Sequence, residues 1–227
     1  MTARDTVMST PELLSLILAR LPMRDLLIAA PFVSKTWRDI TVTPVVQRAL
    51  FFIPEPPSST EPMHNPLLVE MFTPFFTEGA GNRWRWPGTP EAIMHMPWAR
   101  APDAFRRKDA SWRRMLLTQP PARKMVVVET CNNRGGDTER RAVLDLGRPL
   151  CMADLYDSAV SLIDRVASSF HVRWHTEPER DVDLSVECVW TKQCCRTGKR
   201  IIEKEFFSDA KVVRKLEFGE RVFRPHQ

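Results

Sequence analysis

The sequence predicts an α+β protein: three or four short helices at the N-terminus, then a domain in which one helix packs on a small, mostly antiparallel sheet. Three observations carry this reading. Apolar residues recur at helical spacing through residues 10–50. One longer amphipathic stretch, residues 152–168, stands in the second half. Beside it, residues 170–175 and 182–190 alternate with period two, the pattern of half-buried strands.

The first helix opens at Thr10, whose hydroxyl can take an orphaned backbone N–H, with Pro11 at the first helical position. Ser9 with Glu12 offers an alternative capping box one residue earlier. Leu13, Leu14, Ile17, Leu18 and Leu21 span an arc of about 140° at ~100° per residue. Leu16 falls outside that arc, so the helix is apolar on more than one side, and Pro22 ends it. Asp25 stands in the first turn of a second helix, where an anion favours the dipole, and Leu26, Leu27 and Ile28 follow. Pro31 can start a third, in which Val33, Trp37 and Ile40 form a stripe at i, i+4, i+7. Thr43-Pro44 repeats the cap-plus-proline signal and opens a fourth, residues 45–50. Some forty residues build only a marginal core. The surplus apolar surface is covered either by the rest of the chain or by a partner.

The order Pro11-Glu12-Leu13-Leu14, Ile17-Leu18, Leu21-Pro22, Asp25-Leu26-Leu27, Val33-Ser34-Lys35, Trp37-Arg38 and Pro44 resembles an F-box. The match covers about a fifth of the chain without a gap. Ser9-Thr10 stand where the family usually opens with Leu-Pro, and Val33-Ser34-Lys35 replaces its frequent Val-Cys-Lys. The resemblance implies docking on the Skp-type adaptor of a cullin–RING ubiquitin ligase. The implied contact set is Pro11, Leu13, Leu14, Ile17, Leu18, Leu21, Pro22, Leu26, Leu27, Val33 and Trp37. Some of these must hold the helices together instead, and the sequence does not divide the two roles. The runs ASWRRMLLTQPP and ADLYDSAVSLI look similar to fungal F-box proteins that lack a recognised repeat domain. No leucine-rich, propeller or kelch period follows residue 50.

On this reading residues 8–50 are the F-box, 51–109 a proline- and tryptophan-rich linker or irregular region, and 110–227 an α+β domain that holds a target. Residues 50–53 read as a short strand, 54–65 as linker and 67–76 as a short helix or oily connector. Trp84, Trp86 and Trp98 lie among prolines and glycines, where aromatics pin a long loop or line a groove. Residues 110–117 read as a short helix with Trp112, Met115 and Leu116 on one face. Residues 125–128 read as a buried strand and 131–141 as a polar loop. On the helix of residues 152–168, Asp154, Asp157 and Asp164 fall on the polar, solvent-facing side. Residues 176–180 can turn the chain between the two alternating strands, and residues 201–207 and 212–218 can add further strands.

No catalytic or cofactor signature emerges. His171 and His175 share a strand face with Cys188 nearby, but zinc needs about four converging ligands and Cys194-Cys195 are adjacent. No phosphate-binding loop or dinucleotide fingerprint is present, so neither metal nor cofactor is expected. The five cysteines lack framework spacing, which fits reduced thiols in cytoplasm or nucleus. No apolar run approaches the ~20 residues that span a bilayer, and residues 1–10 lack an apolar signal core. Net charge is +5, with its densest basic run at Arg100, Arg106, Arg107, Lys108, Arg113, Arg114, Arg123 and Lys124. That run is a solvated face or a docking surface for an acidic target. The expected function is a non-catalytic substrate receptor of an SCF-type ligase, with the Skp-type adaptor, a cullin and a protein target as partners. A non-ligase partner of the adaptor and a basic nucleic-acid-associated protein are the alternatives.

Overall fold

The computed structural model describes residues 6–7, 10–56, 62–79, 85–97, 101–163, 167–175, 182–191 and 216–225. The described part of the N-terminal unit includes the short helices α1 (Pro11–Leu18), α2 (Met23–Ile28), α3 (Ala30–Val33), α4 (Lys35–Thr41) and α5 (Pro44–Ala49). Leu14, Leu18, Leu26, Ile40, Val46 and Leu50 form its core, with Met23, Leu27, Trp37 and Phe52 packed around them. The single stripe of Val33, Trp37 and Ile40 does not hold. Ser34 is extended and caps α4, its hydroxyl accepting from the Trp37 N–H at 3.1 Å. The break turns Val33 outward, while Ile40 faces the core.

Among the described residues the second unit has a five-stranded sheet in the order β5-β6-β3-β4-β7. Its strands are β3 (Lys124–Asn133), β4 (Gly136–Asp145), β5 (Ser168–Trp174), β6 (Leu184–Thr191) and β7 (Val222–Pro225). A separate ribbon pairs β1 (Met63–His64) with β2 (Thr118–Gln119). β5 and β6 pair antiparallel, as their alternation predicts, while β3 and β6 run parallel. The loop expected over residues 131–141 is instead the tip of the β3–β4 hairpin, with Asn133 opposite Gly136. Its side chains are polar because cross-strand pairs support it: Arg140 on Glu129, and Asn132 on Asp137 at 2.9 Å. The strand β7 was not legible. Residues 176–181 and 201–215, where a turn and strands were expected, lie outside the described residues, and residues 216–218 are not strand.

One apolar core joins this sheet to the segment expected to be a linker. Helices α6 (Pro66–Met71), α7 (Thr73–Phe76), α8 (Pro90–Met94) and α9 (Pro102–Arg106) bring Leu68, Phe72, Phe75, Ile93 and Phe105 against Met125, Val127, Tyr156 and Phe170. Residues 62–109 are therefore part of the sheet domain where described, a correction to the linker reading. Their prolines start helices: Pro66, Pro74, Pro90 and Pro102 occupy first-turn positions. Asn65 is fully buried and caps α6, accepting from Leu67 and Leu68, while its amide donates to the Leu116 carbonyl at 3.2 Å. Gly88 bridges to Phe170 at the sheet edge, and a Cβ there would sit 2.1 Å from that ring.

Helix α10 (Ser111–Arg114) is shorter than expected, and Met115 onward is extended. Helix α11 (Met152–Val160) lies on the core face of the sheet. Its aspartates are not solvated, a second correction. Asp154 is buried, takes a bidentate bond from Arg148 at 2.9 Å and accepts from the Cys151 N–H at 3.0 Å. Asp157 receives Arg113 from α10 at 2.6 Å. Asp164 lies outside the described residues.

Two histidines are held neutral by packing. His171 is buried against Trp86, with ring centroids 4.3 Å apart, and burial lowers its pKa although Glu187 opposes this. His64 is wedged 4.4 Å from the Trp174 ring and is likewise lowered by burial. Below the unfolded value near 6.5 the unfolded chain binds protons that the folded chain does not. Stability therefore falls as pH drops from 7 towards 5. Melting scans across that range check it, and His171→Leu flattens the slope.

The two units are joined by a fixed connection. Residues 50–53 are not a strand, because Phe51 adopts a left-handed conformation at φ 59°. Its carbonyl accepts from the Leu116 N–H at 2.7 Å. The Gln119 amide then holds the chain on both sides of Pro54, donating to Ile53 O at 2.9 Å and accepting from Glu55 N at 2.9 Å. Arg114 caps the Phe52 ring at 5.2 Å. Gln119→Ala removes both side-chain bonds, each of net value about 0.5–1.5 kcal/mol. Faster amide exchange at Glu55, with the sheet amides unchanged, is the expected result.

Candidate functional site

Exposed apolar surface concentrates on the N-terminal helices. Of fifteen exposed large hydrophobic side chains among the described residues, nine fall between Leu13 and Val45. On α1 the division is angular. Leu14 and Leu18 face inward, while Leu16, Leu13 and Ile17 fill an adjoining arc of about 100° on the outside. Ile28, Phe32, Val33, Val42 and Val45 add to it, with Phe32 80 % and Val42 71 % exposed. Exposed apolar side chains concentrated on so small a unit mark an interaction surface rather than ordinary scattered surface residues.

The structure divides the expected contact set by exposure. Leu14, Leu18 and Leu26 are buried inside the helical unit, so they support the surface rather than form it. Pro11, Leu13, Ile17, Leu21, Pro22 and Val33 are exposed. Leu27 and Trp37 are half-buried, and Leu27 packs against both cores. Leu16, Phe32 and Val42 are exposed as well and stand outside the expected set. Their signal was an apolar residue off the main stripe of a short helix.

The remaining candidates separate. Three members of the basic run have partners: Arg113 pairs with Asp157 in the interior, Arg107 with Asp109 at 2.7 Å on the surface, and Arg114 lies over Phe52, while Lys108 and Arg123 are exposed and Arg100 lies outside the described residues. His171 is buried beside Trp86, whereas His175 meets the Ser185 hydroxyl at 3.1 Å. Cys188 lies on the opposite face of the sheet, in the core, where burial pushes its thiol far up. Burial and the adjacent Asp154 likewise raise Cys151. Among the described residues no cluster of three or more His, Cys, Asp or Glu side chains can hold a metal ion. No helix among them is long and apolar enough to cross a membrane.

Residues 10–46 match the family model of the F-box domain. That span covers α1 to α4 and the first turn of α5, which are the helices that carry the exposed apolar surface. Against curated proteins and solved structures the chain has no match.

Proposed function

We propose, from the premise that this chain is an F-box protein, that it is the substrate-recognition subunit of an SCF-type cullin–RING ubiquitin ligase. F-box domains bind Skp-type adaptors. The observation that carries the reading is the concentration of exposed apolar side chains on the F-box helices. Pro11, Leu13, Ile17, Leu21, Pro22 and Val33 contact the adaptor directly, with Leu16 and Phe32 alongside and Leu27 and Trp37 contributing their open edges. Leu14, Leu18 and Leu26 position them from beneath. The adaptor links the chain to a cullin, and the sheet domain holds a protein target. The chain performs no chemistry. It raises the target's concentration near the ubiquitin-loaded enzyme, and the Gln119 connection supports this by holding the domain in one orientation. Cytoplasm or nucleus is the compartment this role requires.

The test is reconstitution with a Skp-type adaptor and a cullin on a sizing column. Co-elution of all three in equal amounts supports the receptor reading. Adaptor binding without cullin recruitment favours a non-ligase regulatory partner instead. Two separate peaks, with the chain folded, remove both.

A further inference from the structure

We infer that the pocket at the hairpin end of the sheet anchors a carboxylate side chain of a target peptide, an inference that rests on the receptor reading of this domain. The pocket, of about 170 Å³, is lined by Glu129, Asn133, Thr138, Arg140, Trp190 and Arg221 among others. Strand register builds it. Glu129 lies directly opposite Arg140, and Cys131 sits between Thr138 on one side and Trp190 on the other.

Its polar groups are held in advance. Glu129 is buried, accepts from the Trp190 indole N–H at 2.8 Å and pairs with Arg140 through Nε. The flat face of the Arg140 guanidinium rests on Phe218, 4.1 Å from the ring centre. The Arg140 guanidinium is thus held at its Nε edge and over the Phe218 ring, while its terminal amino groups take no acceptor among the described residues. Arg221 pairs with no carboxylate among them either. An oriented guanidinium loses little freedom when it meets an acid.

Size and charge select the occupant. A pocket of 170 Å³ is below the ~300–1,000 Å³ typical of cofactor or metabolite sites and suits a single side chain. Two guanidinium groups stand against one carboxylate, an excess of one positive charge. That matches a carboxylate better than a phosphoryl group, which carries about −1.5 to −2. The neighbouring rim is apolar. Phe223 lies opposite Thr138 in register, on the face of the pocket, and is 59 % exposed. The occupant is therefore an extended peptide with a Glu or Asp flanked by apolar residues.

The experiment uses the full chain bound to a Skp-type adaptor, with ¹⁵N-labelled tryptophan indoles. Trp190→Phe assigns the Trp190 signal. The probes are the blocked peptide Ac-Ala-Val-Glu-Val-Ala-NH2 and its versions with Gln or phosphoserine in place of Glu. The Trp190 indole shifts with the Glu peptide, binding weakens at least tenfold with Gln, and it weakens similarly in Arg221→Gln. Arg221 is exposed, so that variant keeps its fold. Arg140→Gln is read only where its melting point is unchanged. No Trp190 shift at millimolar Glu peptide, or equal binding of the Gln peptide, overturns the inference. Tighter binding of phosphoserine overturns it too and assigns the pocket to phosphate. Because adaptor association is read separately on the column, a failed titration in an intact complex leaves the receptor reading standing. Peptide binding by a chain that fails to join the adaptor removes that reading alone.

Discussion

Leu13→Asp with Ile17→Asp abolishes co-elution with a Skp-type adaptor while the melting transition stays in place. Both side chains are exposed on the outer arc of α1, so charging them costs the free chain little. In a complex the same carboxylates would be stripped of water inside an apolar contact, without partners. Leu14→Ala with Leu18→Ala also loses the adaptor, but for a different reason. These leucines are 1 % and 0 % exposed, and truncating each costs about 2–5 kcal/mol through lost transfer energy and the cavity left behind. The pair removes an amount comparable to the whole stability of a typical domain. The F-box then melts early or is cleaved by protease, while the sheet domain keeps its own transition. Calorimetry beside the sizing column separates the cases. Should the aspartate pair co-elute normally, the outer arc of α1 is not the docking surface.

Arg113→Ala is the largest single loss expected in the sheet domain. Arg113 reaches from α10 to Asp157 on α11 with a bidentate bond, its shorter contact 2.6 Å, and the two side chains are only 10 % and 19 % exposed. Its guanidinium also lies 5.0 Å from the Trp112 ring centre. Removing the cation leaves Asp157 buried without its counter-charge, at about 3–5 kcal/mol. For a chain of this size that corresponds to a fall in Tm of roughly 6–20 °C, at ~2–4 °C per kcal/mol. Arg113→Met combined with Asp157→Leu recovers most of the loss, because an apolar pair of similar volume needs no compensation. A double variant as unstable as Arg113→Ala would mean that the packing of Arg113 on Trp112, rather than the ion pair, holds α10 in place.

Local chemistry was readable where a residue acts through its neighbours. Pro11, Pro44 and Pro66 mark helix starts by their missing N–H, and Asn65 caps the helix its side chain reaches. The β5–β6 hairpin showed in period-two alternation because one face of each strand lies on the core. The F-box was legible as an order of apolar residues and prolines over residues 10–46. Whatever depends on contacts far along the chain was not legible. Residues 62–109 looked like linker because short helices between prolines have little periodicity, and only their shared core with Met125 and Phe170 makes them domain. Arg113, Asp154 and Asp157 looked solvated because a charge is legible but its partner is not. The polar hairpin tip of β3 and β4 becomes a strand pair only when Glu129 meets Arg140 across it. The sequence by itself determined that the N-terminal helices carry more apolar surface than they can bury. Tertiary structure decided which leucines face inward and which face water, since a helix arc acquires an inside only when Ile40, Val46 and Leu50 close over it.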